Sequence, residues 1–207
     1  MNRLPNHLYF ANGAENQVET LFVMESPDTK ELQDNIGFPC VGNTGRNMTA
    51  KLCPGETQSL GILIKNGNNE FARRCALFET FKFPLGSDLF EGLNEHELFW
   101  KKIKIIDSRH YENRFDHYDS LCNFFHQNIA IFPETYQRRF EYAVQIFNNL
   151  KEIVVCGFIA QAIFRETFHI LDPGYCIRTP ILFLNKNLDL YFVRHPAHTT
   201  VWPYVVR

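Results

Sequence analysis

The six cysteines (Cys40, Cys53, Cys75, Cys122, Cys156 and Cys176) form no C-x-x-C pair, which speaks against a zinc ribbon, an iron–sulfur cluster or a disulfide framework. They read as reduced thiols of a core. No apolar run approaches the roughly 18 residues needed to cross a bilayer; Ile153 to Gly157 and Ile181 to Leu184 have the length of strands. Met1 to Phe10 holds one Arg and no apolar stretch of signal-peptide length, so the expectation is a cytoplasmic protein. A block of like charge is also missing. Against 23 acidic residues stand 21 basic ones, and the densest basic group is Lys101, Lys102 and Lys104. A net charge of −2 does not announce a nucleic-acid ligand, although a local basic face can still neutralise phosphates.

Aromatic residues are plentiful: Phe alone occurs 20 times, material for a bulky core and for stacking surfaces. With 45% apolar and 21% charged residues the composition is that of a globular chain, not of a disordered or fibrous one. No internal repeat, low-complexity tract or linker breaks it, so one α/β domain is expected over residues 1–207.

Glu19 to Glu25 (ETLFVME) reads as a buried strand running into the turn Ser26-Pro27-Asp28. Three glycines and a proline make Gly37 to Gly45 a loop, followed by a helix start over Arg46 to Leu52 with Thr44 as its cap. Ser59 to Asn66 fits either helix or strand. Cys75 to Phe81 is a second strand, apolar except for Glu79 near its end. Asn94 to Lys104 and Ser120 to Phe125 are helix candidates, with a polar, aromatic loop over His110 to Asp119. Phe140, Ala143, Val144, Phe147 and Leu150 keep helical spacing and predict an amphipathic helix over Tyr136 to Leu150. Glu152 to Gly157 is a buried strand and Phe158 to Phe168 a helix; Thr179 to Leu184 and Leu190 to Arg194 are further strands, separated by the turn Asn185-Lys186-Asn187. Helix, strand, helix is the alternation of a parallel sheet, giving a short, mostly parallel sheet with helices on both faces.

Open parallel sheets bind ligands outside the carboxyl ends of their strands. Glu25 with Ser26, Glu79, and His195 stand at such ends. A carboxylate and an imidazole meeting in one crevice suit general-base work or the stabilisation of developing charge.

The order of short motifs here resembles that of the uracil-DNA glycosylase superfamily. Met24-Glu25-Ser26-Pro27-Asp28 resembles its G-E-A-P-G motif, Gly37-Phe38-Pro39-Cys40-Val41-Gly42-Asn43-Thr44-Gly45 its G-R-P-F-V-G-x-S-G loop, and His195-Pro196-Ala197 its H-P-A motif. Phe140 to Phe164 is similar to its long helix, strand ending V-x-x-G, and alanine-bearing helix. The resemblance implies a three-layer α/β/α fold and a DNA glycosylase acting on a flipped nucleotide carrying uracil or a related damaged or deaminated base. It implies Glu25 and His195 as catalytic residues, with Ser26, Pro27, Phe38, Cys40, Gly42 and Glu79 around the base. Arg46, Arg194 and His198 would then meet DNA. No cofactor and no metal are implied, and the cysteines of the iron–sulfur members have no counterparts.

Two departures bear on chemistry. Cys40 stands where the family stacks a Phe, with Phe38 two residues away, and Glu79 stands where the family reads uracil with an Asn. An amide both donates and accepts, whereas an ionised carboxylate only accepts. A base bearing an amino donor suits Glu79 better, unless burial keeps the carboxyl protonated. These substitutions leave open a catalytically silent member that binds nucleic acid or a nucleotide, and the net charge leaves open an enzyme for a free nucleoside or other small ligand. Bland roles stand beside the sharp ones: Glu25 as a turn carboxylate or helix cap, Glu79 paired with Arg73 or Lys82, Cys40 as an inert thiol, and Trp202 as core rather than a wedge under a flipped base. His117, Cys122 and His126 lie close enough for a metal, but a packed aromatic segment is the better reading.

Overall fold

The computed structural model describes residues 8–25, 38–81, 102–103, 105–106, 114–128, 133–171 and 174–198. Short runs rich in β-branched and aromatic side chains, buried on both sides, build the centre of a sheet. The strands are β1 (Leu8–Phe10), β2 (Thr20–Met24), β3 (Cys75–Glu79), β4 (Glu152–Cys156), β5 (Thr179–Phe183) and β6 (Lys186–Val193). They form one mixed sheet of six strands in the order β1-β3-β2-β4-β6-β5. Its centre, β3-β2-β4-β6, is parallel. The edges β1 and β5 run antiparallel to their neighbours. The helices are α1 (Asn43–Leu52), α2 (Leu60–Asn66), α3 (Glu70–Arg73), α4 (Arg114–Gln127), α5 (Pro133–Ile146) and α6 (Phe158–Phe168), and a 3-10 turn spans Pro196–His198.

Strand alternation divides the apolar core in two. Leu21, Val23, Phe78, Ile153, Val155 and Phe192 pack with side chains of α4, α5 and α6. Phe22, Met24, Leu77, Val154, Cys156 and Val193 pack with side chains of α1 and α2. The abundant phenylalanines fill the first cluster: Phe140 meets Phe164, Phe168 and Phe183 with ring centroids 5.1 to 5.6 Å apart.

Several boundaries differ from the sequence expectation, each for a local reason. Helix α1 begins at Asn43 with Gly42 as N-cap, not Thr44, and no side chain caps it. Residues 114–119 are the first turns of α4, not loop, because Tyr118, Leu121, Cys122 and Phe125 keep one face buried beneath polar neighbours. Helix α5 starts at Pro133, where a missing N–H costs nothing. It stops at Ile146, where the Lys186 ammonium donates to the carbonyls of Val144 and Phe147, both at 2.7 Å. The open segment before Asn66 is helix α2, closed by Gly67 at φ +66°. The hairpin turn lies at Leu184 and Asn185, both at positive φ, so β6 already starts at Lys186. Strand β1 and helix α3 were not foreseen. The expected helix over Asn94–Lys104 lies outside the described residues except for helical Lys102 and Ile103. Among the described residues no helix is long and apolar enough to cross a membrane.

Candidate functional site

Glu25 is the first residue beyond β2 and Gly157 the first beyond β4. The Glu25 carboxylate reaches over Gly157, and its Oε1 accepts from the backbone N–H of Ile159 at 3.1 Å. The first N–H groups of a helix lack partners within it and carry the positive end of its dipole, so an acidic side chain is well placed on α6. Gly157 makes the room. Its φ is +93°, and a Cβ there would run into the Glu25 carboxylate.

Glu79 closes β3 and is 2% exposed. In register it lies beside Met24, while Cys156 lies beside Val193. Met24 and Cys156 each follow the paired residues Val23 and Val155. Glu79, Met24, Cys156 and Val193 therefore form a row across the carboxyl end of the parallel strands. Alternation from Cys75 and Leu77 turns Glu79 toward the face covered by α1 and α2, where Cys40 and Met48 also pack. Both carboxylates act on the thiol between them: burial first, then the charges of Glu25 and Glu79, push Cys156 well above the usual thiol range.

Arg73 donates to Gln17 at 2.8 Å, and Lys82 lies outside the described residues. Arg139 approaches from α5 but serves the backbone, donating to the carbonyls of Glu79 at 3.1 Å and Thr80 at 2.8 Å. Its guanidinium lies over the rings of Phe78 and Tyr136 and is pushed down to about 10 by burial.

His195 follows β6. Its Nδ1 accepts from the Ala197 N–H at 3.3 Å, which puts the proton of a neutral ring on Nε2. Three contacts fix the approach to this turn. Asn47 of α1 donates to the Pro196 carbonyl at 2.9 Å; the Gln161 amide donates to the Val193 carbonyl at 2.6 Å; Gly157 N–H donates to the same carbonyl at 2.9 Å. The helix after the glycine loop and the helix under Glu25 thus both hold the strand that delivers His195.

In the glycine loop, Phe38 is half-buried and meets Tyr9 edge-on at 5.1 Å. Cys40 is buried, with φ +56°, and its carbonyl accepts from Gly61 N–H at 3.0 Å. A Cβ on Gly45 or Gly61 would strike the Pro39–Cys40 backbone, so these two glycines let α1 and α2 close against the loop. Gly42 has open space where a Cβ would stand.

Arg46 is exposed beside Asn47 on α1, and Arg194 is exposed with its guanidinium 5.5 Å from the Tyr175 ring centroid. His198 lies in the 3-10 turn. Ser26, Pro27 and Trp202 lie outside the described residues. His117, Cys122 and His126 go separate ways: His117 packs edge-on against Phe158, Cys122 Sγ accepts from Arg165, and His126 pairs with Glu166 at 3.1 Å. Among the described residues no group of three or more His, Cys, Asp or Glu is placed to hold a metal ion.

Asn47, Gly61, Arg139 and Gln161 were not singled out by sequence. Only Arg139 carried a signal: it sits three residues after Tyr136 and four before Ala143, both on the apolar side of α5. The chain matches no protein-family model and no curated protein.

Proposed function

We propose that the protein is a DNA glycosylase-like hydrolase with a three-layer α/β/α fold similar to that of the uracil-DNA glycosylases, cleaving the N-glycosidic bond of a damaged or deaminated base. The observation that carries this reading is the gathering of Glu25, Glu79 and the His195 turn at the carboxyl ends of β2, β3 and β6. Glu25 and His195 belong to motifs on which the resemblance rests, Glu79 stands where the family reads its base, and strand ends of a parallel sheet are where such folds place ligands.

In the proposed reaction a nucleotide is turned out of the DNA and its C1′–N bond breaks, the electron pair leaving with the base. Positive charge grows on the sugar and negative charge on the base. The Glu25 carboxylate stabilises the cation or orients the water that bonds to C1′. His195 Nε2–H donates to the departing base, and the proton given up by the water balances the base anion. Arg46, Arg194 and His198 supply contacts to phosphates, which fix position without reading sequence. Neither a cofactor nor a metal has a part in these steps.

A second reading, binding of nucleic acid or a nucleotide without cleavage, is favoured by one contact: Glu25 Oε1 already serves the Ile159 N–H as a helix cap. Release of free base by His195→Ala and Glu25→Gln separates the two. The glycosylase reading expects each variant to stay folded and to lose about 100-fold or more in rate, the scale of one acid–base or charge-stabilising group. Full activity in both variants sinks the site assignment. Salt-sensitive DNA binding with no release by the unaltered protein supports the second reading.

A further inference from the structure

Resting on the glycosylase reading for its ligand, DNA, we propose that Tyr175 and Arg194 form a platform beside the His195 turn, on which a base next to the turned-out nucleotide stacks. Phenylalanines fill the core of this chain, yet the Tyr175 ring is 37% exposed. The sheet fixes its place. Tyr175 bridges Phe192 of β6 in parallel register, and the Cys176 N–H donates to the Phe192 carbonyl at 2.8 Å. Just beyond Phe192, the exposed Arg194 places its guanidinium over the Tyr175 ring, 5.5 Å from the centroid, and its backbone N–H donates to the phenol oxygen. The next residue is His195. The ring therefore stands beside the strand that delivers the proposed catalytic histidine, at the end where that histidine emerges.

Gly174 and Cys176 on either side of the tyrosine both take positive φ, +75° and +59°, a conformation uncommon for a residue with a Cβ. Cys176 packs against the core shared with α1 and α2, while the ring before it stays at the surface. Arg178 is committed to Asp189 at 2.8 Å, so the cation serving the ring is Arg194. Every nucleobase has a π-face, and aromatic rings and guanidinium planes stack on it at an exposed surface, with no cavity required. Turning a nucleotide out of DNA breaks its stacking with its neighbours, and a platform beside the site replaces that support. The arginine adds charge for an adjoining phosphate. A ring held at its backbone and at its phenol also loses little freedom when a base settles on it.

The experiment measures equilibrium binding of the full chain to a single-stranded thymidine oligonucleotide and to an abasic sugar–phosphate chain of equal length. Tyr175→Leu should weaken binding of the thymidine oligonucleotide by about fivefold or more, the scale of one base on an aromatic ring, and leave binding of the abasic chain unchanged. Tyr175→Phe, which keeps the ring, should stay within about twofold of the unaltered protein on both. Equal loss on the two ligands in Tyr175→Leu, or loss on neither, overturns the proposal, since a ring that merely props the His195 turn would not tell bases from bare backbone. A Tyr175→Phe variant as weak as Tyr175→Leu overturns it too, and so does a thymidine oligonucleotide that the unaltered protein does not bind. Should Tyr175→Leu fail to fold, a thymidine oligonucleotide carrying 5-iodouracil should photo-cross-link to Tyr175 of the unaltered protein; cross-links confined to other residues overturn the platform. Base release is scored apart. A protein that releases no base yet shows this binding pattern refutes the glycosylase reading and upholds the platform, and one that releases base but binds both ligands as before in Tyr175→Leu does the reverse.

Discussion

Gly157 and Glu25 constrain each other. The carboxylate occupies the space a side chain at 157 would need, and the positive φ of Gly157 is what turns the chain from β4 into the helix whose N–H groups the carboxylate meets. A single methyl group therefore does two kinds of damage: it forces a left-handed conformation on a β-carbon and evicts the cap. Gly157→Ala is expected to lower stability by about 2 kcal/mol, within the range for strained backbone positions. Urea unfolding checks it, and a loss of a few tenths would show that Glu25 finds another seat at no cost. The same pair shows what sequence made legible at this scale. Glu25, Glu79 and His195 were identifiable as strand-end polar residues, because an acidic or imidazole group after an apolar run is visible in one dimension. Their holders were not. The Ile159 N–H, the Asn47 amide and the Gln161 amide act across long stretches of chain, on atoms that every residue shares.

Among elements, helix α1 does more than cover the sheet. Its Gly45 lets it close onto the Cys40 carbonyl, and its Asn47 ties down the turn after β6. The glycine loop and the histidine turn are thereby one mechanical unit. Asn47→Ala should cost no more than about 1 kcal/mol of stability, the net worth of one hydrogen bond, yet loosen His195 and lower base release several-fold. Unfolding curves alongside rates check this, and a rate unchanged within error would mean the turn holds itself. Element types were legible where the apolar pattern was long, as in α5 and α6, or continuous, as in β2, β3 and β4. The N-terminal part of α4 was missed because Asp116, His117 and Asp119 surround its narrow apolar face. Strand β1 has three residues and follows from its pairing with β3, which no local pattern announces.

On the scale of the molecule the two ends of the sheet divide the work. The carboxyl end gathers the proposed site; the amino end is fastened by Glu19, which pairs with Lys151 at 2.8 Å and with Arg74. Hydrogen bonds from Lys151 and Arg74 hold the Glu19 carboxyl below its ordinary value of 4.5, against the opposing effect of burial. A carboxyl depressed in the folded state stabilises above its unfolded pKa, and that contribution is lost as pH falls through the folded value. Glu19→Gln should therefore cost about 0.5 to 1 kcal/mol near neutral pH, the scale of a partly exposed ion pair. The difference should vanish once the pH is well below 4.5. Urea unfolding of both proteins across that range checks it, and a difference that persists in acid would assign the effect to packing. Base release measured near neutral pH should not change, because Glu19 stands at the opposite end of the strands.

The most direct measurement is single-turnover release of free base from oligonucleotides by the unaltered protein and by His195→Ala at equal concentration. The account predicts release by the first and a rate lower by about 100-fold or more in the second, while both bind DNA with affinity that falls as salt rises. Equal rates in the two proteins, or no release together with binding indifferent to salt, would contradict it.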